Sequence, residues 1–245
     1  MQNPELILSR ETQSSMKEIE VWDRYIRVNH WLMVLLFSGL ILTGKAEEDY
    51  MQWHFYMGYL LSALLITRIL YGFWGAKGAR FVAFIKGPLA LFRYIKQTFS
   101  GSSQHYLGHN PLGAIMVLVL LSLILLQISS GFVSSDDVFW YGPMYEWVGD
   151  DLQELLAEWH RRLPDILLGL VACHILAVLL HEIAFKERLV KAMFNGKKKQ
   201  SNHSYQDQVL FNQAQGAGLK PVRSRLIVML SLSLMWLYWL WQLPI

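Results

Sequence analysis

A single cysteine, Cys173, occurs in the 245 residues, and that scarcity excludes several chemistries. One thiol supports no disulfide framework, no cysteine-ligated iron–sulfur cluster and no structural zinc site built on thiolates. No Cys-x-x-Cys-His occurs either, so covalent c-type haem attachment is excluded. Charge is also scarce: 17% of residues are Asp, Glu, Lys or Arg, against 53% hydrophobic and 13% aromatic, a balance that leans towards a membrane protein. Residues 1–20 lack the apolar core of a cleaved signal peptide. The first hydrophobic segment is therefore expected to persist as a signal anchor.

Five apolar runs are present: Arg24–Gly44, Trp53–Gly72, Pro111–Val133, Trp159–Phe185 and Leu226–Leu243. Each is long enough to cross ~30 Å of hydrocarbon as a helix rising 1.5 Å per residue. The net charge of +3 hides a strong asymmetry. Arg10 and Lys17 precede the first run and Arg24 and Arg27 open it; Lys77, Arg80, Lys86, Arg93 and Lys96 lie between the second and third; Lys186, Arg188, Lys191, Lys197, Lys198, Lys199, Lys220, Arg223 and Arg225 follow the fourth. The alternate loops carry Glu47, Glu48, Asp49, Asp136, Asp137, Glu146, Asp150, Asp151, Glu154 and Glu158. The positive-inside bias predicts a cytoplasmic N-terminus and outward-facing acidic loops.

The expected organisation is a cytoplasmic segment over 1–23, a four-helix membrane domain over 24–194, a polar cytoplasmic linker over 195–225 and a fifth spanning helix over 226–245. Within the membrane domain, residues 76–110 interleave Phe81, Phe84, Ile85, Leu89, Phe92 and Ile95 with basic residues. That pattern predicts short amphipathic helices at the cytoplasmic lipid interface. The fifth run ends in Trp236, Tyr238, Trp239 and Trp241, an aromatic belt for the outer side.

Ionisable groups inside a membrane are costly and mark function by default. The candidates are His30, His54, His160, His174, His181 and Arg68. His30 lies two turns into a helix entering from the cytoplasm, whereas His54 begins a helix returning from outside. His160 and His174 are 14 residues apart, close to four turns, so they share a helix face about 21 Å apart in depth. Two pairs follow at matching depths: His54 with His160 outside, and His30 with His174 inside. Imidazoles facing one another at two levels are what two bis-histidine b haems require, and zinc or proton-relay roles use the same residues. Arg68 is 14 residues past His54 and reaches the inner level, where a haem propionate would neutralise it; the alternative is snorkelling to the headgroups. His181 is expected to mark a helix end. His105 and His109 fit interfacial structure or a quinone site, and His203 a solvated linker.

The chain resembles the bacterial cytochrome b561 family, which includes the b-type cytochrome subunits of membrane-bound nickel–iron hydrogenases. The resemblance covers about residues 19–199 and rests on VWDRYIRVNHW, HFYMGYLLSALLITRILYGFWG, YLGHNPLG, WHRRLP…ACH and KERLVKAMFNG. It implies an all-α integral membrane fold, a four-helix bundle holding two b haems on His30, His54, His160 and His174, here with a fifth helix. It implies electron transfer in the bacterial inner membrane between the quinone pool and an extracytoplasmic redox partner, a c-type cytochrome, dehydrogenase or hydrogenase. An electron-transfer subunit, alone or in a larger complex, is expected over a stand-alone oxidoreductase. Two alternatives are a superoxide:quinone oxidoreductase and a proton or metal transporter or assembly factor using the same histidines.

Overall fold

The computed structural model describes residues 18–46, 50–100, 108–135, 138–184, 186–199 and 223–243. Glu47–Asp49, Asp136, Asp137, His105, His203 and most of the linker lie outside the described residues. Among the described residues, five helices are long and apolar enough to cross a membrane: α1 (Arg24–Gly44), α2 (Met51–Trp74), α5 (Pro111–Phe132), α6 (Asp150–Ala184) and α8 (Arg223–Trp241). Between α2 and α5 run a 3-10 turn and the short helices α3 (Phe81–Phe84) and α4 (Pro88–Phe99); α7 (Leu189–Asn195) follows α6.

Local chemistry sets the helix starts. The Asp23 carboxylate accepts from the Ile26 amide at 3.0 Å and caps α1, while Asn110 caps α5 by accepting from Gly113 N at 2.7 Å. Pro111 occupies the first turn of α5, where its missing N–H costs nothing. In α4, Tyr94 turns inward while Leu89 and Phe92 are exposed on the other side.

The central helix is α2. Half of its most apolar stretch is buried within the protein, against 11–17% in the other four spanning helices, whose apolar surfaces face outward as lipid-exposed helices do. Helices α1 and α2 form one hairpin and α5 and α6 another, joined by contact between α2 and α5. Tyr59, Leu61, Leu65, Ile128, Phe132 and Leu240 fill the core among α2, α5 and α8.

The fifth helix is part of this core, running antiparallel to α2 along its length. Thr67 and Ser233 hydroxyls meet at 2.6 Å, and Trp236 Nε1 donates to Ser62 Oγ at 2.9 Å. Tyr56 stacks on Trp241 with ring centroids 4.9 Å apart.

Two details differ from expectation. Helix α6 begins at Asp150 rather than Trp159, so its 35 residues span roughly 52 Å and its first turns project past the bilayer. Hydropathy registers only the apolar part of such a helix. The second is a two-stranded antiparallel ribbon of β1 (Glu18–Glu20) and β2 (Lys197–Lys199). It ties the start of α1 to the end of α7. Gly196 makes the turn into β2 at a φ of 81°, and its carbonyl accepts from Val21 N at 2.7 Å.

Candidate functional site

The bundle has a basic end, carrying the ribbon, α4 and the start of α1, and an acidic end, carrying the start of α6. Near the acidic end, His54 of α2 and His160 of α6 face one another across the two hairpins. Their ring centroids are 6.2 Å apart and their planes 88° apart.

Both rings are oriented through Nδ1. Thr43 Oγ1 lies 3.1 Å from His54 Nδ1 and donates its own proton to Gly39 O at 2.8 Å, so it accepts from the imidazole N–H. On the other side, His160 Nδ1 lies 3.0 Å from both Gln127 O and Gln127 Nε2; because Nε2 donates to the His160 carbonyl, the ring N–H is assigned to the Gln127 carbonyl. In each ring this tautomer turns the lone pair to Nε2, the arrangement by which outer hydrogen bonds prepare a metal-binding imidazole.

Gln127 makes a second contact with the same residue. Pro164 lies inside α6 and lacks the N–H that would bond the carbonyl four residues earlier, which is that of His160. Gln127 Nε2 donates to that freed carbonyl at 3.0 Å. Gly131 completes the support, since a Cβ there would fall 2.6 Å from His160 Cε1. Gly44 lies against His54 in the same way, at 3.0 Å.

Towards the basic end, His30 of α1 and His174 of α6 are near enough to interact electrostatically. His30 Nδ1 is buried without a hydrogen-bond partner, and the ring meets Trp31 edge-on at 5.2 Å. The flanking contacts clamp α1 to α7: Trp31 stacks on Phe194 at 4.5 Å and donates to Met193 O, while Arg27 donates to Phe194 O. His181 stands apart at the helix end, receiving from Asn110 Nδ2 at 3.4 Å and lying 3.8 Å from Glu187.

Arg68 is 8% exposed and lies 5.4 Å over the Phe81 ring. Asp23, Tyr25 and Tyr71 surround it, and its Nη1 has no hydrogen-bond partner. It is thus enclosed rather than extended to the headgroups. His109 is wedged between Trp22 and Phe84 at 4.5 and 4.7 Å, and burial pushes its pKa down to about 3.

Several supporting residues escaped the sequence reading: Thr43, Gln127, Gly131, Asp23 and Tyr71. Gln127 carried a signal, being an amide inside the otherwise apolar run of Pro111–Phe132. The others look ordinary until the helices are placed together.

Opposed imidazoles inside a helical membrane bundle are an arrangement found in the class of haem-binding electron-transport proteins. Within it, the chain belongs to the prokaryotic cytochrome b561 family, whose model it matches over residues 21–196. It is similar to a probable Ni/Fe-hydrogenase B-type cytochrome subunit of Bradyrhizobium diazoefficiens, 22% identical over 74% of this chain and 86% of that protein. A protein of the same description from Rhizobium leguminosarum bv. viciae is also 22% identical, over 74% of this chain and 89% of the relative. No solved structure matches the chain significantly.

The family implies haem b, and the residues fit it. Two metal–imidazole bonds of about 2 Å each occupy roughly 4 Å between facing nitrogens. The 6.2 Å between the His54 and His160 centroids is close to that distance plus two half-rings. Among the described residues, no group of three or more His, Cys, Asp or Glu converges.

Proposed function

We propose that the protein is a dihaem b-type cytochrome carrying electrons across the bacterial cytoplasmic membrane between the quinone pool and an extracytoplasmic redox partner. His54 and His160 hold one haem, and His30 and His174 the other. The basic end faces the cytoplasm, as the positive-inside bias requires. The observation that carries this reading is the opposed His54–His160 pair, both of whose Nδ1 atoms are engaged by the protein.

The bound haems supply one-electron redox chemistry. The chain does the rest. Thr43 and Gln127 hold the two outer imidazoles in the tautomer that ligates, and the Trp31–Phe194 clamp fixes the helix bearing His30. Arg68 offers an unpaired guanidinium nitrogen suited to a propionate. The lipid-facing apolar surface gives quinone its approach from the bilayer. The likeness to hydrogenase cytochrome subunits makes a hydrogenase one candidate partner, beside a c-type cytochrome or another dehydrogenase.

Reduced-minus-oxidised spectra of the detergent-solubilised protein test the proposal. A b-type α band is expected, with about half its amplitude lost in His54→Ala and the other component lost in His174→Ala. No band in the wild type would sink the cytochrome reading; loss of the same component in both variants would sink the pairing.

A further inference from the structure

The basic end contains a buried polar cluster whose carboxylate neither histidine pair uses. Asp23, only 7% exposed, is its carboxylate. Arg68 and Tyr71 approach it from α2, and Tyr25 from its own helix, with Tyr25 and Tyr71 ring centroids 4.2 Å apart. Asn29 extends the cluster, donating to Tyr25 OH at 3.4 Å and to Leu64 O at 3.2 Å, while its own Oδ1 and Arg68 Nη1 have no partner. Buried polar atoms left this way call for water or another polar group beside them. Solvent is close, because Arg24, the next residue after Asp23, is exposed.

We propose that Asp23 is a redox-linked proton-binding site. An electron reaching the His30–His174 level, from a quinol or from the other pair, draws one proton from water at the basic face onto the Asp23 carboxylate. Departure of the electron returns that proton to water. The inference rests on the dihaem reading above.

Geometry supports the coupling. Asp23 and His30 are seven residues apart on α1, two turns on nearly one face and about 10 Å along the axis. At that distance, in a medium of lower dielectric than water, an added negative charge at one site is felt at the other. The neighbouring groups leave the exchange to Asp23. Arg68 is a fixed cation. The tyrosines contribute hydroxyls rather than charges. His109, from the start of α5, is held neutral by burial, with Arg68, Lys198 and His174 adding to the effect. Lys198, from β2, lies 3.7 Å from Glu187, which compensates its charge. Burial raises the Asp23 pKa against the opposing pull of the Ile26 amide, Tyr71 and Arg68, bringing proton binding towards the working pH.

Potentiometric titration of the holoprotein at several pH values tests the proposal, following the α-band component that disappears in His174→Ala. Its potential should fall as pH rises in the wild type. That dependence should be lost in Asp23→Asn, with the other component unaffected. Asn is as good a helix cap as Asp, so α1 keeps its start. A wild-type potential independent of pH, or an unchanged slope in Asp23→Asn, overturns the proposal. Should the variant fail to take up haem, reduced-minus-oxidised infrared spectra of wild type and Asp23→Glu decide it. A protonated-carboxyl band gained on reduction, and shifted in Asp23→Glu, supports the site; its absence refutes it. Absence of any b-type band in the wild type refutes the dihaem reading instead.

Discussion

The contact between Gln127 and the His160 carbonyl exists because Pro164 removes the helix's own donor, and that dependence can be measured. Gln127→Leu removes the Nε2–H that reaches His160 O at 3.0 Å while retaining comparable bulk. A buried carbonyl left without a donor costs about 1–3 kcal/mol. That strain falls on the backbone carrying a ligand, where loss of outer-shell support typically weakens metal binding by roughly 10–100-fold. In Pro164→Ala the backbone N–H returns and bonds His160 O within the helix. Gln127→Leu should then cost little, because the amide it removes is redundant. The assay is haem titration of the apoprotein in detergent, read on the component lost in His54→Ala, for wild type, both single variants and the double variant. The expected coupling is about the size of the Gln127→Leu loss itself and opposite in sign, because it cancels that loss. An equal loss with and without Pro164 would refute the reasoning, and so would no loss in Gln127→Leu.

Gly131→Ala places a Cβ 2.6 Å from His160 Cε1 where contact requires about 3.5–4.0 Å, so the ring must move by roughly 1 Å. Haem quantification should show the His54–His160 component weakened, whereas Gly87→Ala, in the loop between α2 and α5 with nothing within 4 Å of the added Cβ, should bind haem as the wild type does. Trp31→Leu removes the stack on Phe194 and the bond to Met193 O; electron paramagnetic resonance should show a broadened signal for the His30–His174 haem alone. Ser233→Ala deletes the 2.6 Å contact with Thr67 and should lower stability by about 1 kcal/mol in thermal unfolding, with unchanged haem spectra. His109 titrates at about 3 when folded against an ordinary 6.5, so unfolded chains bind the extra proton between those values and wild-type stability falls as pH drops through that window. His109→Phe keeps the packing between Trp22 and Phe84 and should melt with a shallower acid dependence; an unchanged pH profile would exclude His109 as the source.

Much of the architecture was legible because its signals are local. Apolar length counted against bilayer thickness located five spanning helices, and 14-residue spacing put His160 and His174 at two depths of one face. The ends of the helices were less legible. Asp150–Glu158 read as a loop because hydropathy cannot distinguish a polar helical extension from a connector. The pairing of Glu18–Glu20 with Lys197–Lys199 was invisible, since each is too short to carry a strand pattern. Arg68 was recognised as costly, but Asp23 beside it was read only as part of a polar leader.

By itself, then, the sequence determined that this is a membrane protein with apolar runs for five spanning helices and histidines spaced along them. Hydrophobicity, helical rise and charge asymmetry are properties of a segment and its immediate neighbours. Only the tertiary structure decided how the His54 and His160 rings are held, that Gln127 answers the carbonyl Pro164 leaves free, and that α8 completes the core against α2. It also decided that Asp23 and Arg68 share one buried cluster. Those relations join residues from different helices, and they depend on the rotation of each helix about its own axis, which packing sets and local pattern does not.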